Sequence, residues 1–294
     1  MIKENNFIIE SVKITNPDKL LFNKSKITKL DLIKYYQKIA PRMMPYLENR
    51  IISAIRCPDG IDGTCFYKKH LDTKSKQIGR IYLPNNNGSK EDYYYIKDIS
   101  GLIAEVQMNT IEFHIWGSKV EILEQPDIIV FDLDPDEGLD IKAIREGAKD
   151  LKKILDLIPL TSFLKTSGGK GYHVVIPITP SANWEKVREF SKNIAEVMVN
   201  KWPEKYTENV RKINRQGKIF IDWMRNIKGA TSVAPYSVRT KEKGSVSMPI
   251  SWSELDKINP DIITMNEAIK RLKRKDPWED FYTAINMPQV HINA

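Results

Sequence analysis

The chain has 294 residues, a length that fits one large domain or two modest ones. Of these residues 41% are hydrophobic and 29% are charged, which is typical of a folded protein. Its net charge of +8, from 46 basic and 38 acidic residues, favours an anionic partner such as nucleic acid. The sequence has neither a secretory signal pattern nor an apolar run of about 18 residues, which argues against secretion and membrane insertion.

The N-terminal region predicts an edge strand, a turn and an amphipathic helix. Residues 7–15 alternate weakly between apolar and polar types, and the Asn-Pro turn that follows exposes Lys19. Thr28 then predicts the cap of a helix whose apolar residues fall near one face. Three lysines crowd the start of this helix: Lys24, Lys26 and Lys29. Positive charge there opposes the helix dipole, so either an anion binds these lysines or they form a solubilising surface patch.

Residues 50–70 predict a strand, a Pro-Asp-Gly turn and a segment rich in aromatic and basic side chains. Cys57 and Cys65 flank the turn without the spacing or the neighbours of a zinc site, so we expect reduced thiols and a cytoplasmic protein. Phe66 and Tyr67 precede two lysines, a combination that suits stacking on bases with phosphate contacts nearby. The alternative is a core phenylalanine beside a tyrosine on the strand surface.

The next region predicts a hairpin, a helix and a strand that carries one histidine. Residues 85–90 have the composition of a hairpin tip, and residues 93–95 are tyrosines on the returning strand. Residues 99–109 favour a helix, and the alternation that follows places His114 opposite Phe113 and Ile115. A lone histidine is more often structural, but an acidic strand comes next, so a position beside bound metal ions is the other interpretation.

The stretch IIVFDLDPDEG, residues 128–138, predicts a buried strand that ends at a proline and a glycine. Alternation along the strand places Asp132 and Asp134 on one face, and Phe131 and Leu133 in the core. Neighbouring carboxylates repel each other, and a divalent cation such as Mg²⁺ or Mn²⁺ would relieve that repulsion. A turn of solvated acids is the alternative.

Three kinds of metal site compete for this stretch. A calcium-binding EF-hand loop needs glycine at its sixth position and glutamate at its twelfth, where Glu137 and Ala143 stand instead. A phosphatase of the haloacid dehalogenase type also begins with an Asp-x-Asp pair, but Asp136 occupies the place of its usual threonine or valine. A polymerase-type two-metal site needs a further carboxylate from a distant strand. Asp222, which ends an apolar strand predicted at 218–222, is the candidate.

The second half of the chain predicts helices at 139–158 and about 183–202, with a glycine-rich loop between strands. In that loop, TSGGKGYHVVIP, backbone N–H groups can approach a triphosphate, with Lys170 as a point charge and Ser167 as a hydroxyl donor. The loop lacks the spacing of a Walker motif. From about residue 251 we expect two short helices and a tail. Basic residues precede and follow Asp222: Arg211, Lys212, Arg215, Lys218 and Arg239.

Taken in order, six segments resemble the polymerase (primase-polymerase) domain of the prokaryotic non-homologous end-joining ligase D family, in the archaeo-eukaryotic primase superfamily. They are ITNPDKLLF, IEFHIWG, IIVFDLDPDEG, TSGGKGYHVVIPI, KIFIDW and SVAPYSVR, and they run from Ile14 to about Leu255. The resemblance implies an α/β (α+β) primase-like core with an RRM-like palm and two mainly antiparallel sheets flanked by helices. Family members also carry a DNA ligase and often a nuclease, so the chain resembles a stand-alone form.

The resemblance also implies a domain organisation and an activity. We expect one catalytic domain over 1–294, with a DNA-end-binding portion at about 1–110, a metal-binding palm at about 111–250 and C-terminal helices at about 251–294. The implied activity is DNA-dependent nucleotidyl transfer that fills gaps and extends 3′ ends at double-strand breaks, with ribonucleotides preferred. The implied partners are break DNA with a 5′-phosphate, nucleoside triphosphates, Ku, and a separate ligase and nuclease, in the nucleoid of the cytoplasm and without a membrane.

Roles follow from the resemblance for the residues that match its motifs. The metal-binding and catalytic triad, for two Mn²⁺ or Mg²⁺ ions, is Asp132, Asp134 and Asp222. The residues that hold the incoming nucleotide are His114, Ser167, Lys170 and Arg239. The pocket for the downstream 5′-phosphate is Asn16, Lys19 and Lys29. Phe66 and Tyr67 match an aromatic pair that stacks on the template, where the second is usually phenylalanine, and Arg215 matches a residue that helps to place the primer.

Two other classes of function compete with this interpretation. A phosphohydrolase of the haloacid dehalogenase type would use Asp132 as its nucleophile, although the order of the six segments argues against it. A non-catalytic module that binds DNA ends would use the basic surface alone and leave the three acids without a role.

The glycine-rich loop departs from the family at one position. The family commonly has serine where Gly169 stands, and the glycine should loosen the loop without removing a predicted donor.

Overall fold

The computed structural model describes residues 7–71, 76–84, 87–158 and 160–284 of the chain. The chain forms two compact units that interleave along the sequence. The first unit contains Met1–Ile115, Val233–Val246 and Thr264–Lys273, and the second contains Trp116–Ser232, Ser247–Ile263 and Arg274–Ala294. That both units serve one catalytic domain stays a prediction.

The described residues contain α-helices, β-strands and short 3₁₀ turns. The helices are α1 (Lys29–Leu47), α2 (Ile99–Gln107), α3 (Ile141–Leu157), α4 (Trp184–Lys201) and α5 (Met265–Arg271). The strands are β1 (Phe7–Ile9), β2 (Val12–Ile14), β3 (Leu20–Phe22), β4 (Ile27–Thr28), β5 (Ile52–Arg56), β6 (Phe66–Lys68), β7 (Ile78–Pro84), β8 (Lys90–Ile96), β9 (Thr110–Ile115), β10 (Ile128–Pro135), β11 (Phe163–Thr166), β12 (Tyr172–Pro177), β13 (Tyr206–Thr207), β14 (Ile219–Asp222), β15 (Ser232–Val233) and β16 (Pro249–Ile250).

Helix α1 begins where the sequence predicts, because Thr28 forms a capping box with Asp31. The Thr28 hydroxyl accepts from the Asp31 backbone N–H, and the Asp31 carboxylate accepts from the Thr28 backbone N–H. This places a negative charge in the first turn, where it offsets part of the lysine charge nearby. The apolar face of α1, which includes Ile33 and Tyr36, is buried in the first unit.

A four-stranded sheet in the order β15-β9-β5-β6 supports the first unit. The antiparallel register of β5 and β6 places Arg56 opposite Phe66, so that the next residues of the two strands, Cys57 and Cys65, also meet. Their sulfurs form a disulfide, with the Cα atoms 4.3 Å apart. The expectation of reduced thiols is therefore wrong for this structure. It considered only the spacing of the cysteines and not the pairing of the strands that carry them.

A six-stranded sheet in the order β13-β14-β10-β12-β11-β16 forms the second unit. Its neighbouring strands are antiparallel except for the parallel pair β13 and β14. Phe131 and Leu133 of β10 are fully buried, as alternation predicts. Helices α3 and α4 contact β10, and each buries an apolar face. The predicted fold class, with mainly antiparallel sheets flanked by helices, is confirmed.

Several predicted elements differ from the observed ones. Residues 7–15 form a hairpin rather than one edge strand, because Glu10 and Ser11 take positive φ angles of 48° and 63° and reverse the chain. The hairpin of β7 and β8 is confirmed, although residues 85 and 86 of its predicted tip lie outside the described residues. After residue 251 the described chain has a single 3₁₀ turn and then α5, and the tail beyond 284 lies outside it. No helix in the described ranges is long and apolar enough to cross a membrane.

Candidate active site

The acids of the second unit lie on two neighbouring strands. In the antiparallel register of β10 and β14, Asp132 stands directly opposite Asp222, while Asp134 stands opposite Phe220. Residues that face each other across a strand pair share a face of the sheet, and so do residues two apart on one strand. The three carboxylates predicted as a triad are therefore brought to one face of the sheet.

The facing pair among these acids carries an unfavourable charge, with the Asp132 side chain 19% exposed and that of Asp222 11% exposed. Burial raises the pKa of Asp132 to about 6, and the charges of Asp222 and Asp134 add to this rise while Arg225 opposes it. Burial likewise raises the pKa of Asp222. Arg225, which the sequence analysis did not single out, lies 3.3 Å from Asp132 and 3.0 Å from Asp222. The Arg225 guanidinium bridges the pair and lowers the pKa of both acids, but by less than burial raises it.

His173 and Lys165 form a second layer behind Asp132. His173 pairs with Asp132 across β10 and β12, and its Nε2 lies 3.3 Å from an Asp132 oxygen. Its Nδ1 lies 3.1 Å from Nζ of Lys165, which donates to the Ser247 hydroxyl at 2.8 Å. Because the lysine donates, Nδ1 accepts and Nε2 carries the hydrogen that faces Asp132. The sequence analysis missed both residues, although a polar residue inside the apolar run of β12 was the available signal.

The donor chemistry of the acids fits a divalent cation, since carboxylate oxygens are the ligands that Mg²⁺ and Mn²⁺ prefer. Among the described residues, however, no three His, Cys, Asp or Glu side chains are grouped as a metal site. Arginines stand among the acids instead: Arg225 bridges two of them, and Arg215 lies 3.3 Å from Asp134. These guanidinium groups would have to turn aside before the carboxylates shared a cation.

The glycine-rich loop lies against the acidic strand. The Ser167 hydroxyl accepts from the backbone N–H groups of Gly169 at 3.1 Å and Gly171 at 3.2 Å, so it shapes the loop. A Cβ on Gly171 would come within 2.2 Å of the Leu133 carbonyl, so only glycine allows this approach. Lys170 is exposed and lies 3.7 Å from Glu137.

Arg215 closes a basic loop beside the same acids. Its guanidinium donates to the carbonyls of Asn209 at 2.9 Å and Val210 at 2.6 Å. The Cζ atom of Arg215 lies 3.6 Å from the centroid of the Phe220 ring. A cleft of about 550 Å³ extends from this loop to the glycine-rich loop. Its charged lining residues are Asp134, Asp136, Glu137, Lys170, Lys212 and Arg215.

Two other predicted nucleotide residues, His114 and Arg239, lie in the first unit, and the structure brings them together through Glu112. His114 is two residues from Glu112 on β9, so both side chains share a face. The Glu112 carboxylate accepts from His114 Nε2 and from Arg239 Nε, each at 2.9 Å. The sequence analysis did not single out Glu112, because its contact with Arg239 spans 127 residues.

The three residues predicted to bind a 5′-phosphate are neighbours in the first unit. The Lys19 backbone N–H donates to the Asn16 carbonyl at 3.1 Å, and the Lys29 backbone N–H donates to the Lys19 carbonyl at 2.8 Å. Burial, and then the charge of Lys19, lower the pKa of Lys29 to about 8. Lys19 also forms a 3.2 Å ion pair with Asp59, so part of its charge is already balanced.

The predicted stacking pair lies on the outer strand of the four-stranded sheet. Phe66 and Tyr67 of β6 are 43% and 64% exposed, which is unusual for large aromatic side chains. The Arg56 guanidinium lies 6.0 Å from the Phe66 ring, and the Tyr67 and His114 rings are 6.0 Å apart. The alternative of a core phenylalanine is wrong for Phe66.

A family model described as "LigD, primase-polymerase domain" matches residues 28–278 of the chain. The chain belongs to this family. The predictions of a nucleotidyltransferase polymerase and of a primase-like fold are thereby confirmed. The LigD primase-polymerase family is generally metal-dependent, which agrees with the donor chemistry of the acids.

Named relatives agree with this assignment. The chain is 35% identical over 275 residues to the multifunctional non-homologous end joining protein LigD of Pseudomonas aeruginosa, an alignment that covers 92% of this chain and 33% of the relative. It is 32% identical over 285 residues to the bifunctional LigD of Bacillus subtilis, with coverages of 96% and 46%. The chain thus spans a third to less than half of these curated relatives.

A solved structure with a similar fold is the polymerase domain of Mycobacterium tuberculosis ligase D in complex with DNA. Its TM-score with this chain is 0.86 at 27% sequence identity, and the match covers 94% of this chain and 99% of that one.

Proposed function

We propose that the chain is a DNA-dependent nucleotidyltransferase that fills gaps and extends 3′ ends at double-strand breaks in non-homologous end joining. The observation that carries the proposal is the pairing of Asp132 with Asp222 across β10 and β14, with Asp134 on the same face, in a LigD primase-polymerase chain. Neither competing class accounts for this pair. A phosphohydrolase would not need Asp222, and a module that only binds DNA would leave two facing carboxylates without a purpose.

The three acids would hold two Mn²⁺ or Mg²⁺ ions, which when bound promote attack by a primer 3′-hydroxyl and neutralise the leaving pyrophosphate. The chain's own residues position the substrates and balance their charge. His173 orients the Asp132 carboxylate through the 3.3 Å contact. Arg215, near Asp134, would place the primer terminus. The loop shaped by the Ser167 hydroxyl would surround the triphosphate, with Lys170 as its point charge.

The nucleotide would also meet His114 and Arg239, the first near the sugar and the second near the phosphates. We expect ribonucleotides to be preferred through a hydrogen bond to the 2′-hydroxyl at His114 or Ser167. A site that hydrogen-bonds a hydroxyl discriminates strongly against its absence, because its polar partners are then left unpaired. Both side chains have the hydrogen-bonding groups that this requires.

Recognition of a break would use a 5′-phosphate pocket formed by Asn16, Lys19 and Lys29. The ammonium of Lys29 donates to the Thr15 carbonyl at 3.0 Å, and burial and the charge of Lys19 lower its pKa, which supports an anion beside it. A phosphate would supply the missing negative charge. The exposed rings of Phe66 and Tyr67 would stack on template bases at the break.

The remaining steps of end joining would require other protein activities. The named relatives are described as bifunctional or multifunctional, and the chain matches only part of their length. We propose that both units of the chain form one catalytic domain in the nucleoid of the cytoplasm. It would act with Ku and with ligase and nuclease activities.

Primer extension tests the proposal directly. We expect the chain, with Mn²⁺ and a labelled primer-template that has a 5′-phosphorylated gap, to add nucleotides, with a higher kcat/KM for ribonucleotides than for deoxyribonucleotides. Gap binding without extension under any divalent cation would indicate the non-catalytic module instead. Equal kcat/KM for matched ribo- and deoxyribonucleotides would remove the sugar contact while leaving the polymerase assignment in place.

A further inference from the structure

Glu112 lies beneath two side chains assigned above to the nucleotide, and no step described so far uses it. Its side chain is 1% exposed, whereas those of His114 and Arg239 are 12% and 21% exposed. We propose that Glu112 is a positioning residue that holds His114 and Arg239 in the geometry with which they bind the incoming nucleotide. This inference rests on the proposed function, because it takes the nucleotide as the ligand of those two side chains.

The two oxygens of the Glu112 carboxylate have different partners. Oε2 accepts from Nε2 of His114 and from Nε of Arg239, both at 2.9 Å. Oε1 accepts from the Thr240 backbone N–H at 2.5 Å and from the Thr240 hydroxyl at 2.6 Å. One oxygen therefore anchors the carboxylate to the backbone just after Arg239. The other oxygen fixes both nucleotide side chains relative to that anchor.

The ionised state of Glu112 also determines how His114 presents its ring. Burial would raise the pKa of Glu112, but the hydrogen bond from His114 and the charge of Arg239 bring it down to about 2. An ionised carboxylate only accepts hydrogen bonds, so Nε2 of His114 carries a hydrogen. The Glu112 carboxylate then fixes the orientation of the His114 ring, as carboxylates that bond metal-binding histidines do in metal sites.

The backbone around this cluster is held by bonds that do not use the carboxylate. The Ser237 hydroxyl accepts from the Phe113 backbone N–H at 2.9 Å. The Tyr36 hydroxyl donates to the Ile111 carbonyl at 2.6 Å and accepts from the Val238 backbone N–H at 3.0 Å. Loss of the carboxylate charge should therefore displace the two side chains more than the strand that carries them.

The first test is Glu112→Gln, which keeps the shape of the side chain but places an NH₂ group among hydrogen-bond donors. We expect the KM for a ribonucleoside triphosphate in primer extension to rise about tenfold, because charge-assisted hydrogen bonds to both side chains are lost. We expect kcat and the affinity for gapped DNA to change much less. Ser237→Ala is the matched control: it removes a buried hydrogen bond of the same segment and should leave KM unchanged.

A double-mutant cycle separates this inference from the proposed function. If Glu112 acts through its two partners, adding Glu112→Gln to His114→Ala with Arg239→Ala should not raise the KM further. An unchanged KM in His114→Ala with Arg239→Ala would remove the nucleotide from these residues and overturn the positioning role, while primer extension by the wild-type chain would leave the proposed function in place. A raised KM in that variant with an unchanged KM in Glu112→Gln would overturn the positioning role alone.

Two further measurements keep the inference testable if Glu112→Gln does not fold. Thr240→Val removes one anchor of Oε1 without touching either nucleotide side chain, and we expect the KM to rise about threefold, a partial loss of the same kind. A KM that stays at the wild-type value would contradict the anchor. The chain has four histidines, so the ring nitrogens of His114 can be assigned by ¹⁵N NMR. We expect Nε2 to be protonated in the wild type, and an unprotonated Nε2 would overturn the proposed orientation.

Discussion

Two carboxylates, the buried Glu112 of the first unit and the half-buried Asp132 of the second, have pKa values that shift in opposite directions. Burial penalises the charge of both Glu112 and Asp132, so their neighbours account for the difference. Glu112 accepts hydrogen bonds from His114, Arg239 and Thr240, and its pKa falls to about 2. Asp132 faces another carboxylate across the sheet, and its pKa rises to about 6 although Arg225 lies beside it.

The difference shows which charge the chain balances and which it leaves for a ligand. The first unit supplies the donors that Glu112 requires, so this carboxylate is complete without any other molecule. The second unit sets the half-buried Asp132 opposite the buried Asp222, which costs stability in the unliganded protein. Such a cost is usual at functional sites, where the ligand supplies the missing charge.

The largest expected effect is on catalysis at the incomplete site. Asp132→Ala, Asp134→Ala and Asp222→Ala should each lower the rate of primer extension about a thousandfold, the loss typical of removing one essential charged group from an active site. Affinity for gapped DNA should stay nearly unchanged, because we expect the acids to bind metal ions rather than DNA. Initial rates with Mn²⁺ and binding curves for the same DNA check both expectations.

A charge-matched control is available in the same unit. Asp156 is exposed on α3 and pairs only with Lys152 among the contacts described, so Asp156→Ala should extend primers at the wild-type rate. A triad variant that keeps a near wild-type rate would remove that carboxylate from the site. The contrast between the two buried acids would then lose its functional meaning.

The next effect is on stability, and it has opposite signs at the two acids. In buffer that contains a chelator at pH 7, Asp132→Asn should raise the free energy of unfolding by about 1–2 kcal/mol. The substitution removes a negative charge that burial and the charges of Asp222 and Asp134 disfavour. Glu112→Gln should lower the free energy of unfolding by about 3 kcal/mol, because it removes the charge of a buried carboxylate that accepts hydrogen bonds from His114 and Arg239. Urea unfolding of both variants beside the wild type measures this, and changes of the same sign would break the comparison.

The pH dependence distinguishes the two acids further. The pKa of Glu112 is lowered in the fold, so its contribution to stability is present above its ordinary value of 4.5 and is lost as the pH falls toward 2. The pKa of Asp132 is raised, so stability is lost as the pH rises from 3.8 through about 6. The gain from Asp132→Asn should therefore grow between pH 4 and 6 and then level off.

The sequence predicts the local part of this contrast and misses the long-range part. Alternation alone places Asp132 and Asp134 on one face, and the sequence also predicts Thr28 as the cap of α1. The partners Arg225, His173 and Glu112 depend on strand pairing or on contacts with distant loops, which periodicity does not encode. The disulfide was missed for the same reason, since Cys57 and Cys65 meet only through the register of β5 and β6.

Lys29 extends the comparison to positive charge. It is buried, and a neighbour of the same sign, Lys19, shifts its pKa further in the direction of the neutral form, as Asp222 and Asp134 do for Asp132. Asp59 balances part of the charge of Lys19, as Arg225 does for the acids. By the same argument as for Asp132, we expect a ligand of opposite charge at this pocket, and a terminal phosphate is the group that a DNA break presents.

Lys19→Ala with Lys29→Ala should weaken binding to a 5′-phosphorylated gap and leave binding to the 5′-hydroxyl gap much less affected. The salt dependence of binding should flatten by about one unit of slope for each lysine that no longer neutralises a phosphate. Lys34→Ala with Lys38→Ala removes the same charge from exposed positions of α1 and should keep the preference for the phosphate.

The wild-type preference for the 5′-phosphorylated gap should also fall between pH 7 and 9, because Lys29 loses its charge near pH 8. If the wild type binds the 5′-phosphorylated gap and the 5′-hydroxyl gap with equal affinity, these lysines are ordinary surface charge. The expectation of a ligand of opposite charge would then hold for the acids alone.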